Sequence, residues 1–343
     1  METITIHRRE DDFAIYATSI DKAIAGVESV YMIIGLVLFV LSVSTATRAQ
    51  SLGRRSPFVA IAIALASFVI GCGLHIGAVA LPYLIDNVQF RNPVSTLKIL
   101  HSSDGLRGAG AFFDDFSHMA ALSSAFLILW NRGAALLPRQ RRLGSLGIDG
   151  KAMLDISLLV VLLIMAITAV TYAAVNTGLA AVTVPGITLG EIARREHTAL
   201  SLLYVYVAIT GVVVADVTVS ALVLHRRVSR LNIRDAPTRY VASYLAPLWI
   251  IHFLYGLAIV IWSAWQTFHP TTSSSHNVEV VNIISAIEDG IVFFSISSII
   301  LMLGASRTAW RTVTDEAKPA HDFQNIRRSS TLNDDYQLDD MKG

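Results

Sequence analysis

The sequence predicts an all-α membrane protein: a bundle of seven transmembrane helices with its N-terminus outside the cytosol and its C-terminus inside. Three observations predict it. Of the 343 residues, 53% are hydrophobic and only 15% charged, against about 25% charged in a soluble domain. The missing charge is absent from seven long apolar blocks and gathered between them, and a helix needs roughly 20 apolar residues to cross about 30 Å of hydrocarbon. Finally, Lys and Arg alternate in abundance from one connection to the next. Each block must be helical, because a lone strand cannot satisfy its backbone in lipid.

The first block, 24–46, follows a charged segment, 1–23, that lacks the pattern of a cleavable signal peptide, so the block itself directs insertion. Further blocks at 57–82, 109–131, 153–176, 198–223, 240–265 and 281–304 complete a transmembrane domain over 24–304. A polar tail, 305–343, is expected to be disordered and cytosolic. It carries Arg327-Arg328-Ser329-Ser330, which suits a basophilic kinase, although a solvated tail with a chance match is the reading to prefer.

The odd-numbered connections hold Arg48, Arg54 and Arg55; then Arg132, Arg139, Arg141, Arg142 and Lys151; then Arg226, Arg227, Arg230, Arg234 and Arg239. The even ones hold only Arg91, Lys98, Arg107, Arg194 and Arg195. Positive charge stays cytosolic, so the odd connections face the cytosol. Arg8, Arg9 and Lys22 of the N-terminal segment argue mildly the other way, offset by Glu10, Asp11, Asp12 and Asp21. A net charge of +1 with no basic domain gives no footing for nucleic acid. The single cysteine, Cys72, excludes an intrachain disulfide, and no N-x-S/T sequon marks a glycosylated side.

Ionisable residues inside a span are expensive and call for a reason. Glu28 lies in the outer part of span one, His75 in the outer half of span two, and Asp114, Asp115 and His118 in that of span three. Glu288 and Asp289 lie in the outer half of span seven, and His252 sits near the middle of span six. Asp114 and His118, four apart, share a helix face. Asn282, Ser285 and Asp289 form a polar stripe, with Glu288 about 100° round from Asp289. Trp249, His252 and Tyr255 recur every three residues, Glu28 and Tyr31 are three apart, and Tyr204 adds an aromatic from span five. These positions predict a polar, aromatic-lined cavity in the outer half of the bundle.

Singly, each has a structural explanation. An intramembrane histidine serves as a helix-to-helix hydrogen bond, Glu28 and Asp114 are shallow enough to be wet, Asp155 falls near the interface, and Asp216 is placed to pair with a loop arginine. Five helices coinciding in depth is harder to explain that way. The cluster is acidic, with no Lys or Arg within the spans as delimited. Close carboxyls in a low dielectric cannot all ionise, so some retain a proton to donate, and histidine can accept one. That inventory suits acid–base chemistry on an apolar molecule, and also proton or cation binding.

Seven helices with an outer N-terminus also invite a receptor reading. The inner end of span three reads Trp130-Asn131-Arg132-Gly133 rather than acidic-Arg-aromatic, and span seven ends Ile299-Ile300-Leu301-Met302-Leu303-Gly304 without Asn-Pro-x-x-Tyr. Spans six and seven lack the lysine that retinal proteins need. The Glu28-Ser29-Val30-Tyr31 opening, and Tyr255-Gly256 in span six with Glu288-Asp289 in span seven, resemble fungal seven-helix membrane proteins, among them membrane-bound terpene cyclases of the ascochlorin and ascofuranone type. The resemblance covers topology over 24–304 and these few polar positions. It implies acid-initiated cyclisation of a prenylated or epoxidised farnesyl-type substrate in secondary metabolism, in the endoplasmic reticulum rather than the plasma membrane.

On that reading Glu288 or Asp289 is the general acid, Asp114 or Asp115 shares or takes the proton, and His75, His118 and His252 orient or relay it. Glu28, Tyr31, Tyr204, Trp249, Tyr255, Ser285 and Asn282 contact substrate. No cofactor and no metal is expected, since protonation initiates the reaction and Asp114-Asp115-Phe116-Ser117-His118 is not an aspartate-rich diphosphate motif. The expected partners are a lipid-soluble small molecule, membrane lipid, and functional coupling to a prenyltransferase and an epoxidase. The alternatives are a heptahelical receptor, with a G protein as partner, and a proton-coupled transporter, the latter lacking the expected internal repeat.

Overall fold

The computed structural model describes residues 4–49, 52–86, 93–136, 148–181, 189–231, 233, 235–268 and 275–305, with side chains described within the membrane-spanning parts of the helices. The tail with Ser330, and Arg139, Arg141 and Arg142, lie outside the described residues. Five long helices, α1 (Ile4–Arg48), α2 (Leu52–Asp86), α3 (Pro93–Leu136), α4 (Ile148–Ala181) and α5 (Leu189–Arg230), come first. A short α6 (Ala236–Tyr240) runs through a π-helical turn, Val241–Leu245, into α7 (Ala246–Phe268), and α8 (Ser275–Ala305) ends the bundle. No strand occurs among the described residues.

Seven segments are long and apolar enough to cross a bilayer: Lys22–Arg48, Arg55–Leu81, Gly105–Leu136, Gly150–Tyr172, His197–Arg230, Ala236–Trp265 and Ile283–Ala305. They overlie the seven blocks read from the sequence. The helices themselves run further. At 1.5 Å per residue, the 45 residues of α1 extend to about 68 Å, more than twice the hydrocarbon thickness. Hydropathy marks only the part of a helix that needs lipid, so the polar segment before residue 24 reads as a separate piece although its backbone continues α1 from Ile4.

Apolar residues divide between the two faces of each helix. Ile33, Val37, Met153, Ile164, Val219 and Met302 are exposed, a pattern that costs free energy in water and none in lipid. Inside, Leu65, Leu122, Phe126, Val213, Phe293 and Ile296 are buried in one continuous core. The α3 helix touches α2, α4, α5, α6 and α8 and forms the middle of the bundle. Small residues let it approach α2 closely, as is common where helices meet in membranes. Ala64, Ala78, Ala121 and Ala125 are buried there, and Ser103 and Ser124 donate to the α2 carbonyls of Ala78 and Pro57 at 2.8 and 2.9 Å. The α8 helix returns beside α1, where any Cβ at Gly290 would collide with the Tyr31 ring.

One end of the bundle is tied by charge. Arg132, buried at the end of α3, pairs with buried Asp235. Asp235 also caps α6, accepting from the backbone N–H of Thr238 at 3.0 Å. Lys151 pairs with Asp155 and Asp216 and lies 5.7 Å from the Phe126 ring centre, and Trp130 Nε1 donates to Asp155 Oδ2 at 2.7 Å. These contacts correct two sequence readings. Lys151 and Arg132 belong to helices rather than to a free connection. Asp216 finds Lys151 rather than a loop arginine. Asp155, near the end of its span, has a side chain only 1% exposed and is enclosed against that same lysine. A charge at the end of an apolar block reads as loop in one dimension, although helix packing can enclose it against a partner.

Breaking a buried pair strands its surviving charge, at a cost of about 3–5 kcal/mol. Arg132→Met is therefore expected to lower the thermal midpoint of the detergent-purified protein steeply. Adding Asp235→Asn should recover much of the loss, because Asn still caps α6 without leaving a buried charge. Equal midpoints for the single and double variants would show that the pair contributes nothing.

Candidate functional site

About four turns along α3 from that clasp, polar side chains of α1, α2, α3, α5, α7 and α8 converge on a cavity of about 480 Å³. Most of its wall is apolar, including Met119, Leu122, Leu162, Val207 and Phe253. The seven residues predicted as catalytic, Glu288, Asp289, Asp114, Asp115, His118, His75 and His252, all line it. So do Glu28, Trp249, Tyr255 and Ser285 of the predicted substrate-contacting set.

The contacts form two linked groups. In the first, His75 bridges α1 and α3, with Nδ1 3.3 Å from Glu28 Oε1 and Nε2 3.5 Å from Asp114 Oδ2. Backbone shape holds it there. A Cβ at Gly110 would occupy the space of the His75 ring, and one at Gly71 would strike the Asp114 carboxylate. Only glycine at these two places lets α2 and α3 come close enough for the contact.

In the second group, His118 Nδ1 lies 3.0 Å from the Asp114 carbonyl oxygen. A carbonyl only accepts, so Nδ1 carries the proton and donates, leaving Nε2 as the lone-pair nitrogen of the neutral ring. That Nε2 is 3.2 Å from Asp289 Oδ1. His252 stacks on His118 with ring centres 4.4 Å apart and planes 4° from parallel, and its Nδ1 stands 3.7 Å from Glu288 Oε1 and 3.8 Å from Asp289 Oδ1. Trp249 presents an edge to both imidazoles, and Phe293 packs against His118 from below. His118 Nε2, His252 Nδ1 and Glu288 Oε1 are buried without a hydrogen-bond partner among the described residues.

Three predicted contacts differ. Tyr204 is 39% exposed on the lipid-facing side of α5. Two residues on, about 200° round the helix, Tyr206 lines the cavity and donates its hydroxyl to Asp115 Oδ1 at 3.0 Å. Tyr31 donates to the Ile287 carbonyl at 3.2 Å and packs on Phe294, so it braces α8 from outside the cavity wall. The Asn282 side chain lies outside the described residues. Thr210, one turn beyond Tyr206 on the same face, also lines the cavity and was missed. The signal was present, since Tyr206, Thr210, Val213, Val217 and Ala221 recur at helical spacing. The sequence reading, which expected no metal, also missed that His118, His252 and Asp289 bring ligating atoms within 4.8 Å of one another.

Fold and site together define a multi-pass helical membrane protein with a half-buried, acidic and histidine-rich cavity. Comparisons with protein-family models, with characterised proteins and with solved structures give no match to this chain.

Tyr206→Phe is expected to lower the thermal midpoint by the equivalent of about 1–3 kcal/mol, because it removes the donor to a buried carboxyl. Tyr204→Phe should stay within about 0.5 kcal/mol of the parent, as is usual for exposed positions. A reversed order would return Tyr204 to the cavity wall.

Proposed function

We propose that this protein is a membrane-bound enzyme that performs acid-initiated cyclisation of a prenylated or epoxidised, farnesyl-type substrate, as in terpenoid secondary metabolism. One observation carries the reading: five carboxyls and three histidines from five helices face a single apolar-walled cavity whose lining, among the described residues, includes no lysine or arginine. Such crowding keeps the carboxyls from all being charged together, so the cavity holds transferable protons away from water. Its 480 Å³ falls within the roughly 300–1,000 Å³ of small-molecule sites, room for an organic substrate rather than an ion alone.

Glu288 is the general acid in this mechanism, since its Oε1 is buried without a hydrogen-bond partner and faces the cavity. It gives its proton to the epoxide oxygen. The C–O bond opens with its electron pair on oxygen, and the π pair of a nearby alkene closes the ring. The resulting carbocation loses a proton to Asp114, Asp115 or a histidine, so the product is an isomer of the substrate. Trp249, Tyr206, Phe253 and Tyr255 line the path and attract the cation through their ring faces. Asp289 stands between His118 and His252 and holds both imidazoles at the cavity wall.

The substrate enters laterally from the bilayer, with the N-terminus outside the cytosol and the endoplasmic reticulum as the site. A prenyltransferase and an epoxidase supply it. A receptor would use the same cavity as a ligand pocket. The unpartnered Glu288 and His118 atoms favour chemistry, because leaving buried polar groups unsatisfied costs stability that binding an apolar ligand does not return.

Glu288→Gln, expressed in microsomes given a prenylated epoxide, is expected to lose roughly 100- to 10,000-fold in turnover, the contribution of a positioned acid. Its thermal midpoint should stay near the parent's. Product formation at the parent's rate removes Glu288 from the mechanism.

A further inference from the structure

Three ligating atoms from three helices meet at one corner of the cavity: His118 Nε2 of α3, His252 Nδ1 of α7 and Asp289 Oδ1 of α8. We propose that this corner is a divalent-metal site of the zinc type, held by those three side chains and open on its fourth side to the cavity. Four features of the molecule support it.

The first is the set of donors. Two imidazoles and one carboxylate match Zn²⁺ and similar first-row ions, whereas Mg²⁺ and Ca²⁺ prefer oxygen alone. The second is orientation. The Asp114 carbonyl accepts a hydrogen bond from His118 Nδ1–H and so turns the Nε2 lone pair toward Asp289, the second-layer hydrogen bond that metal-bound histidines commonly have.

The third is burial without partners. His118, only 8% exposed, has an Nε2 with no hydrogen bond among the described residues, and His252 Nδ1 is in the same condition. A cation would satisfy both at once, and it would offset a lining rich in carboxyls.

The fourth is distance. Tetrahedral Zn²⁺ with bonds of about 2.0–2.1 Å places its ligand atoms about 3.3 Å apart. His118 Nε2 and Asp289 Oδ1 already stand 3.2 Å apart, and His252 Nδ1 is 3.8 Å from the same oxygen. The parallel stack of the two rings must open so that both lone pairs meet at one point. His252, whose ring lines the cavity, is the ligand that would turn to meet the ion.

Three protein ligands with an open fourth position characterise a catalytic rather than a structural ion. Glu288 is not one of the three ligands, and its Oε1 lies 3.7 Å from the ligand atom His252 Nδ1. Where this rests on the cyclase reading, it narrows the substrate. An ion held there would polarise an epoxide oxygen at the reacting end of the prenyl chain, an atom a plain alkene lacks. Glu288 would supply the proton to that oxygen as the epoxide C–O bond breaks with its electron pair on oxygen.

The test uses the full chain, purified in detergent without chelator and titrated with Zn²⁺ against a chromophoric competitor, with Co²⁺ absorption as a second readout of coordination. The expected result is one ion per chain and a Co²⁺ spectrum of low-symmetry, four-coordinate type. Asp289→Asn keeps the side-chain shape and is expected to weaken binding by roughly a hundredfold or more, as is His118→Ala. His225→Ala, on α5 away from the cavity, should leave binding unchanged. Zn²⁺ should also raise the thermal midpoint of the parent but not of Asp289→Asn, which covers any failure of His118→Ala to fold. Absence of stoichiometric binding, or binding that survives Asp289→Asn, overturns the site. A chain that turns over a prenylated epoxide yet binds no Zn²⁺ also overturns it while sparing the acid mechanism. One that binds Zn²⁺ through these residues but converts no such substrate supports the site and counts against the cyclase.

Discussion

Burying ionisable groups in a lipid-facing bundle is the constraint on which the rest of this structure depends. A charge placed at membrane depth must find a partner, retain or lose a proton, or hold a cation. The molecule resolves this differently at its two ends. At one end the acids are matched with bases: Asp235 with Arg132, and Asp155 and Asp216 with Lys151. At the other, Glu28, Asp114, Asp115, Glu288 and Asp289 meet histidines, a tyrosine hydroxyl and the Cys72 thiol, with no lysine or arginine among their described ion pairs. The first arrangement ties helices together. The second leaves protons and lone pairs available, as a reactive centre requires.

Packing turns that chemistry into a site. Glycine at positions 71 and 110 lets α2 approach α3 until His75 and Asp114 meet, and the π-helical turn before α7 adds a residue to one turn of span six. Beyond that turn, Trp249, His252, Tyr255 and Ile259 all face the cavity. The stacked Phe68 and Phe293 rings, 4.5 Å apart, join α2 to α8. That contact and the ion-paired far end tie together the helices that carry the acids and histidines, and the wall between them is mostly apolar. Those are the conditions under which fixed dipoles and acids act most strongly on a substrate.

Much of this was legible in the sequence because membrane helices separate charge so sharply. The seven spans followed from apolar length alone. The convergence of Glu28, His75, Asp114, His118, His252 and Asp289 followed from shared depth, counted along spans whose alternating direction the Lys/Arg pattern supplied. Rotation about the helix axis was harder. Tyr204 and Tyr206 have the same depth and chemistry, and only the small-residue stripe continuing through Val213 and Val217 tells which of them points inward. Neighbour identity was harder still. Nothing in one dimension shows that His118 and His252, 134 positions apart in sequence, stack face to face, or that Asp216 meets Lys151. Pairings between helices belong to the packed bundle, so the relay contacts and the His–His–Asp corner became visible only there.

The central claim is that one lipid-shielded cavity between α3, α5, α7 and α8 receives an apolar, oxygen-bearing molecule. Its most direct measurement is photolabelling in microsomes with a diazirine-bearing prenyl chain, followed by peptide mapping. Labels are expected on α3 near Met119 and Leu122, on α5 near Val207 and on α7 near Phe253, and an excess of unlabelled prenylated epoxide should suppress them together. Labels confined to the outward residues Ile33, Met153 and Ile164, and insensitive to that competitor, would show that the chain is only solvated by such lipids and that the cavity does not bind them.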